Sequence, residues 1–166
     1  MIRHITKTSS FAFLVAAAAV VASSTLAPAQ AHASYSVNID CTGFPNAIPN
    51  WAGTVNTITV KAHKKNGTVK QLFSGVISNS SCITFGNIIQ GFDTDSMSNV
   101  KKISVTTNGN DAFWIDSLWL NNGSSFITWG VQNQIGWCVS TDPADGNNSH
   151  CEQAKAFTTW DFPTGN

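Results

Sequence analysis

Thr57-Ile58-Thr59-Val60-Lys61-Ala62 alternates polar and apolar side chains without a break, and Lys65-Asn66-Gly67-Thr68 follows it. A period of two puts Ile58, Val60 and Ala62 on one face of an extended strand and leaves the other face to water. Asn-Gly is a strong short-range hairpin signal, because both residues tolerate the positive φ of a type I′ turn. The segment therefore predicts a hairpin whose second strand is Lys70–Ile77. The pattern recurs at Ile103 and Val105, set between Lys102, Ser104 and Thr106. Further candidate strands are Tyr35–Asp40, Ile83–Phe85 with Ile88–Phe92, Lys101–Thr106, Ala112–Leu120, Ser125–Trp129, Gly136–Ser140 and Phe157–Phe162. Asn, Gly, Ser and Asp bound these runs, and only Gln153–Ala156 is read as one helical turn. Short strands with such punctuation predict an all-β, antiparallel sandwich.

Working outward, residues 1–33 have the layout of a secretory signal peptide. Arg3 and Lys7 precede the apolar run Phe11–Ala22, and Ala31-His32-Ala33 supplies the small-residue cleavage pattern. The apolar run is too short to span a bilayer. Cleavage after Ala33, with Ala31 as the alternative, leaves one domain over 34–166, exported and without a transmembrane segment. That domain has no arginine and carries nine acidic residues against seven lysines. Phosphate recognition needs clustered cations, so nucleic acid is excluded as a partner. Cys41, Cys82, Cys138 and Cys151 are even in number, which in an oxidising compartment predicts two disulfides. Proximity in sequence favours Cys41–Cys82 and Cys138–Cys151 among the three possible pairings. No C-x-x-C pair suggests zinc.

Phe113-Trp114-Ile115-Asp116-Ser117-Leu118-Trp119-Leu120 is apolar at both parities and reads as a strand covered on both faces. Trp51-Ala52-Gly53-Thr54 followed by the alternating strand, the turn at Asn66-Gly67, Val100–Val105 and Asp111–Leu120 together resemble the PLAT domain, a β-sandwich accessory module of lipoxygenases and pancreatic-type lipases. The resemblance covers about Tyr35 to Leu120. It implies a jelly-roll or related sandwich that contacts lipid or protein and has no catalysis of its own. Val55 stands where calcium-binding members often carry Asp, and the four cysteines are not part of the usual pattern.

Candidate contact residues are tryptophans. Trp51, in an apolar loop after Pro45–Asn50, is the first choice for an exposed anchor on a lipid surface or partner protein. Trp129, Trp137 and Trp160 would stack on sugar rings if the partner is a glycan. Against both stands core packing, the commoner use of a large aromatic in a small domain. Calcium is the metal expectation, with Asp93/Asp95 and Asp142/Asp145 as candidate oxygen clusters and self-capped turns as their plainer reading. No G-x-S-x-G elbow is present. His63 reads as a solvated hairpin edge. A toxin, inhibitor or small hydrolase would have to use the Asp142–Ser149 loop with Asp145 or His150.

Overall fold

The alternating segments become strands in chain order: β1 (Tyr35–Asp40), β2 (Thr57–Lys64), β3 (Val69–Val76), helix α1 (Asn79–Phe85), β4 (Asn87–Asp93), β5 (Val100–Thr107), β6 (Phe113–Ile115), β7 (Ser117–Asn121), β8 (Phe126–Gly130), β9 (Gly136–Val139), β10 (Cys151–Phe157) and β11 (Thr159–Pro163). This computed structural model describes residues 34–41, 53–85, 87–130, 135–147 and 149–165. Residues 1–33, where the sequence predicts a signal peptide, and Trp51 lie outside the described residues.

Sheet A has the order β4-β1-β7-β8, sheet B the order β11-β5-β2-β3, and a three-stranded sheet C the order β10-β9-β6. The fold is an antiparallel β-sandwich with two disulfides. One pairing departs from the expectation: β10 runs parallel to β9. The apolar members of each alternation meet in one core. Val37 and Ile39 of β1 and Leu118 and Leu120 of β7 come from sheet A, and Ile58, Val60, Ile103 and Val105 come from sheet B. All eight are 0% exposed. Each fully buried side chain of this size stabilises by about 1.5–3 kcal/mol. Tyr35, Phe113, Trp114 and Phe162 add larger buried rings to the same core.

Cys41–Cys82 fastens the end of β1 to α1, and Cys138–Cys151 closes the loop between β9 and β10. Their Cα separations of 5.2 and 5.4 Å are ordinary for a cystine. Both pairings are those favoured by sequence proximity.

Four local readings are corrected. Ile83–Phe85 belongs to α1 and is not a strand. Ser78 caps that helix by accepting from the Ser81 N–H at 3.3 Å, and a hydroxyl at the N-cap favours helix over extension. Gln153–Ala156 lies inside β10 and is not a helical turn. Gln153 has φ 59°, and the pairing register shifts between Cys151 and Ala156, the signature of a bulge. The Lys65–Thr68 turn is not type I′, because only Gly67 has positive φ, at 86°. The Gly67 N–H donates to the Lys64 carbonyl and the Lys64 N–H to the Thr68 carbonyl, giving a three-residue hairpin loop with glycine in the left-handed position. Finally, Ala112–Leu120 is two strands. The chain changes sheets at Asp116, whose N–H donates to the Asp40 carbonyl at 2.8 Å. Phe113, Trp114 and Ile115 are all buried, so β6 is covered on both faces as expected, and alternation starts afresh in β7 beyond the corner.

A candidate binding face on sheet A

Because Tyr35, Val37 and Ile39 face the core, Ser36, Asn38 and Asp40 must face outward. The same parity turns Trp119 and Asn121 of β7 outward, with Phe126 and Thr128 of β8. The register then assembles one row across all four strands. Phe92 pairs with Ser36, Ser36 with Asn121, and Asn121 with Phe126. Directly paired residues share a face, so a phenyl ring stands at each end of a polar floor. Three strand spacings separate the rings' backbones by about 14 Å. Asn38, Trp119 and Thr128 form the next row.

The face is open at one end and closed at the other. Phe92 and Phe126 are 59% and 73% exposed, whereas Ser117, two rows away, is 8% exposed. At the closed end burial pushes the Asp116 carboxyl up, with the neighbouring Asp40 adding to the effect. At the open end a cleft of about 350 Å³ is lined by Ser34–Ser36, Phe92 and Asn121–Gly123. Turn geometry orients its amides. Asn121 Oδ1 accepts from the Gly123 N–H at 2.6 Å, and Asn122 Oδ1 accepts from the N–H groups of Ser124 and Ser125 at 3.0 and 2.7 Å.

An ion cluster supports this end from below. The Tyr35 hydroxyl donates to Asp93 Oδ2 at 3.1 Å, and Lys64 Nζ lies 2.8 Å from both Asp93 and Asp95. Lys64 belongs to sheet B and Asp93 to sheet A, so the contact bridges the sheets. Burial pushes the Asp93 carboxyl up, but hydrogen bonds from Lys64, Tyr35 and the Asp95 backbone outweigh it and hold it below the usual range. Lys64, Asn99 and the Ser96 N–H hold Asp95 down at about 2. Burial beside Asp93 pushes the Tyr35 phenol far up.

The residues singled out from sequence fall in different places. Trp129 and Trp137 pack edge-on against Phe162, at centroid distances of 5.9 and 4.9 Å, and Trp160 packs against Phe157 at 4.8 Å. The indole N–H of Trp129 donates to the Pro163 carbonyl and that of Trp160 to the Cys138 carbonyl. The three indoles thus line the seam between β8, β9 and β11, away from the open end of sheet A. Asp93 and Asp95 do form a turn that caps itself, since Asp93 Oδ1 accepts from the Asp95 N–H at 3.3 Å. Their carboxylates also hold Lys64, which any calcium ion entering there would have to displace. Asp142 caps the 3-10 turn at Pro143 by accepting from the Ala144 N–H, and Asp145 accepts from the Ser140 hydroxyl at 2.5 Å. Among the described residues no group of three or more His, Cys, Asp or Glu side chains converges to hold a metal.

His63 differs from the solvated edge expected of it. It is half-buried on the outer face of sheet B, with Nε2 2.8 Å from Ser104 Oγ. Burial, reinforced by Lys102, pulls the imidazole below its ordinary value. A hydroxyl beside an imidazole is the start of a nucleophile–base pair. Ser104, however, is only 4% exposed, and Asp161 bonds to Lys102 at 2.7 Å. A carbonyl substrate has no approach to that hydroxyl.

Sequence reasoning did not select Phe92 or Phe126 as contact residues. The available signal was parity: if Ile127 and Trp129 point inward, Phe126 must point out.

No protein-family model matches the chain, and no curated protein matches it. Among solved structures, the alpha toxin from Clostridium absonum superposes with a TM-score of 0.42 at 14% identity, over 66% of this chain and 31% of that one. The chain spans less than a third of that toxin, and a likeness this slight carries no argument about activity or partner. The resemblance to PLAT domains has no family match behind it, and the sandwich stands on strand order and pairing alone. No helix among the described residues is long and apolar enough to cross a membrane.

Proposed function

We propose that this chain is an exported, non-enzymatic binding module whose contact surface is the open end of the outer face of sheet A. The observation that carries the reading is the row Phe92–Ser36–Asn121–Phe126, with both phenyl rings exposed. Large exposed aromatics cost solvation in the free protein, and rings of this kind anchor interfaces by surrendering that area to a partner. Two cystines suit an oxidising compartment and hold the scaffold rigid, which lowers the entropic cost of binding. The reading keeps the expectation that aromatics make the contact, and moves it from a loop anchor at Trp51 to two strand-borne phenylalanines.

The test compares wild type with the double variant Phe92→Ala/Phe126→Ala. Two probes are used, phosphatidylcholine vesicles in co-sedimentation and a panel of neutral oligosaccharides in a retention assay. Retention of either probe by wild type, weakened about tenfold or more in the double variant, supports the module. No retention of either, or equal retention by both proteins, rejects it. Calcium, expected from sequence at Asp93/Asp95 or Asp142/Asp145, would at the first pair have to displace Lys64, and a melting temperature that rises in millimolar calcium is its signature. An unchanged melting temperature removes it.

A further inference from the structure

The row fixes where contact occurs, and the chemistry of the cleft beside it narrows what is held. We infer that the cleft is a subsite for an uncharged oligosaccharide; this rests on the binding-module reading and names the ligand class for the same face. No lining side chain, from Ser34–Ser36, Phe92 or Asn121–Gly123, carries a charge. Asp93, which reaches the cleft's lining through the Tyr35 hydroxyl, is paired with Lys64, as is Asp95. A phosphate or sulfate would find no cation there to replace its water, so a charged headgroup gains nothing by entering.

The hydrogen-bonding groups are one-sided. Both asparagine carbonyl oxygens are committed to the Asn121–Ser125 turn. What these side chains chiefly offer a ligand is their amide N–H groups, four donors on adjacent residues, beside one remaining lone pair on Asn121 Oδ1. Ser34 and Ser36 add hydroxyls that both donate and accept. Sugar rings supply the complement: ring and hydroxyl oxygens that accept, and an axial C–H face that packs on an aromatic. Phe92 stands at the cleft and Phe126 at the far end of the same row, about 14 Å away by strand spacing. That separation suits a short chain of sugars lying across the strands better than a single ring. Its volume of about 350 Å³ lies near the lower limit for small-molecule pockets and fits one ring of that chain.

Asn121→Asp is the discriminating substitution. It keeps the oxygen that accepts from the Gly123 N–H, so the turn survives, and it replaces the amide donors with a carboxylate. Affinity is measured on a panel of neutral and acidic oligosaccharides, with phosphatidylcholine vesicles as a parallel arm. Wild type should retain neutral oligosaccharides. Asn121→Asp and Phe92→Ala should each weaken retention about tenfold or more, with melting temperatures close to wild type. Neutral oligosaccharides held equally by wild type and Asn121→Asp overturn the inference. So does a preference for acidic ones. Vesicles retained by wild type and released by Phe92→Ala/Phe126→Ala, with no oligosaccharide retained, remove the sugar subsite and leave the module standing. Retention of neither probe removes both.

Discussion

Sheets A and B are each four strands wide, share one core and present outer faces of opposite character. On sheet B the row corresponding to Phe92–Ser36–Asn121–Phe126 is Thr159–Thr106–Thr59–Ser74. Its hydroxyls pair among themselves, Thr106 with Thr159 at 3.0 Å and Thr59 with Ser74 at 3.4 Å. The next row pairs Asp161 with Ser104 and Ser104 with Lys61. That face satisfies its own polar groups and meets water without exposing rings. Sheet A leaves two phenyl rings in solvent around donors that the turn has oriented but not used. Sheet B does expose Val69 and Val76 at its β3 edge, but its central rows carry no exposed phenyl ring, and the proposed contact surface rests on that difference.

The interior should be common to both faces, and breaking it gives the largest effect. Phe162 is 2% exposed and is flanked by Trp129 and Trp137. Phe162→Ala is expected to destabilise by about 4 kcal/mol in denaturant unfolding, because a cavity replaces a buried ring. A loss under about 1 kcal/mol would show that the seam is not core.

The bridge between the faces comes next. Lys64→Met leaves Asp93 buried without its cation and should cost about 3 kcal/mol at neutral pH. The sign of the pH dependence follows from the depressed carboxyls. Asp93 and Asp95 sit below the ordinary 3.8, with Asp95 at about 2, so their contribution is complete above pH 4 and is lost as pH falls toward 2. Wild type and Lys64→Met should therefore converge in melting temperature over that window. Parallel curves down to pH 2 would contradict the cluster.

The smallest changes in stability separate the faces most sharply. Phe92→Ala/Phe126→Ala should change stability by less than about 1 kcal/mol while weakening retention of the probe that wild type holds. Thr59→Ala/Thr106→Ala should stay within about 0.5 kcal/mol of wild type and leave retention unchanged. A loss of retention from the threonine pair would assign contact to the wrong sheet.

Much of this fold is legible in single segments. β1, β2 and β5 lie where strict alternation places them, because one buried face leaves only one possible parity. Both cystines follow from spacing. The misses share a physical cause. Ile83 and Phe85 mimic alternation, and only the Ser78 cap marks a helix. Phe113–Leu120 is apolar at both parities, so periodicity cannot show that the chain turns a corner at Asp116. The proposed face is hidden from local pattern for the same reason: Ser125–Trp129 offers Phe126 or Trp129 to solvent, and ring size favours the tryptophan. Indole N–H groups that reach backbone carbonyls let tryptophan bury its polar end, and a phenyl ring was left on the outer face instead. The β1–β4, β1–β7, β2–β5 and β5–β11 pairings and the Lys64–Asp93 bridge join partners 29 residues or more apart, which no local pattern encodes.

Hydroxyl-radical footprinting of the full chain, with and without the retained probe, tests the face directly. Val69 and Val76 of β3, 50% and 54% exposed, are comparable reporters on sheet B. The account predicts that oxidation of Phe92 and Phe126 falls when the probe is bound while Val69 and Val76 react as before. Protection of the valines with the phenyl rings still fully reactive would contradict it.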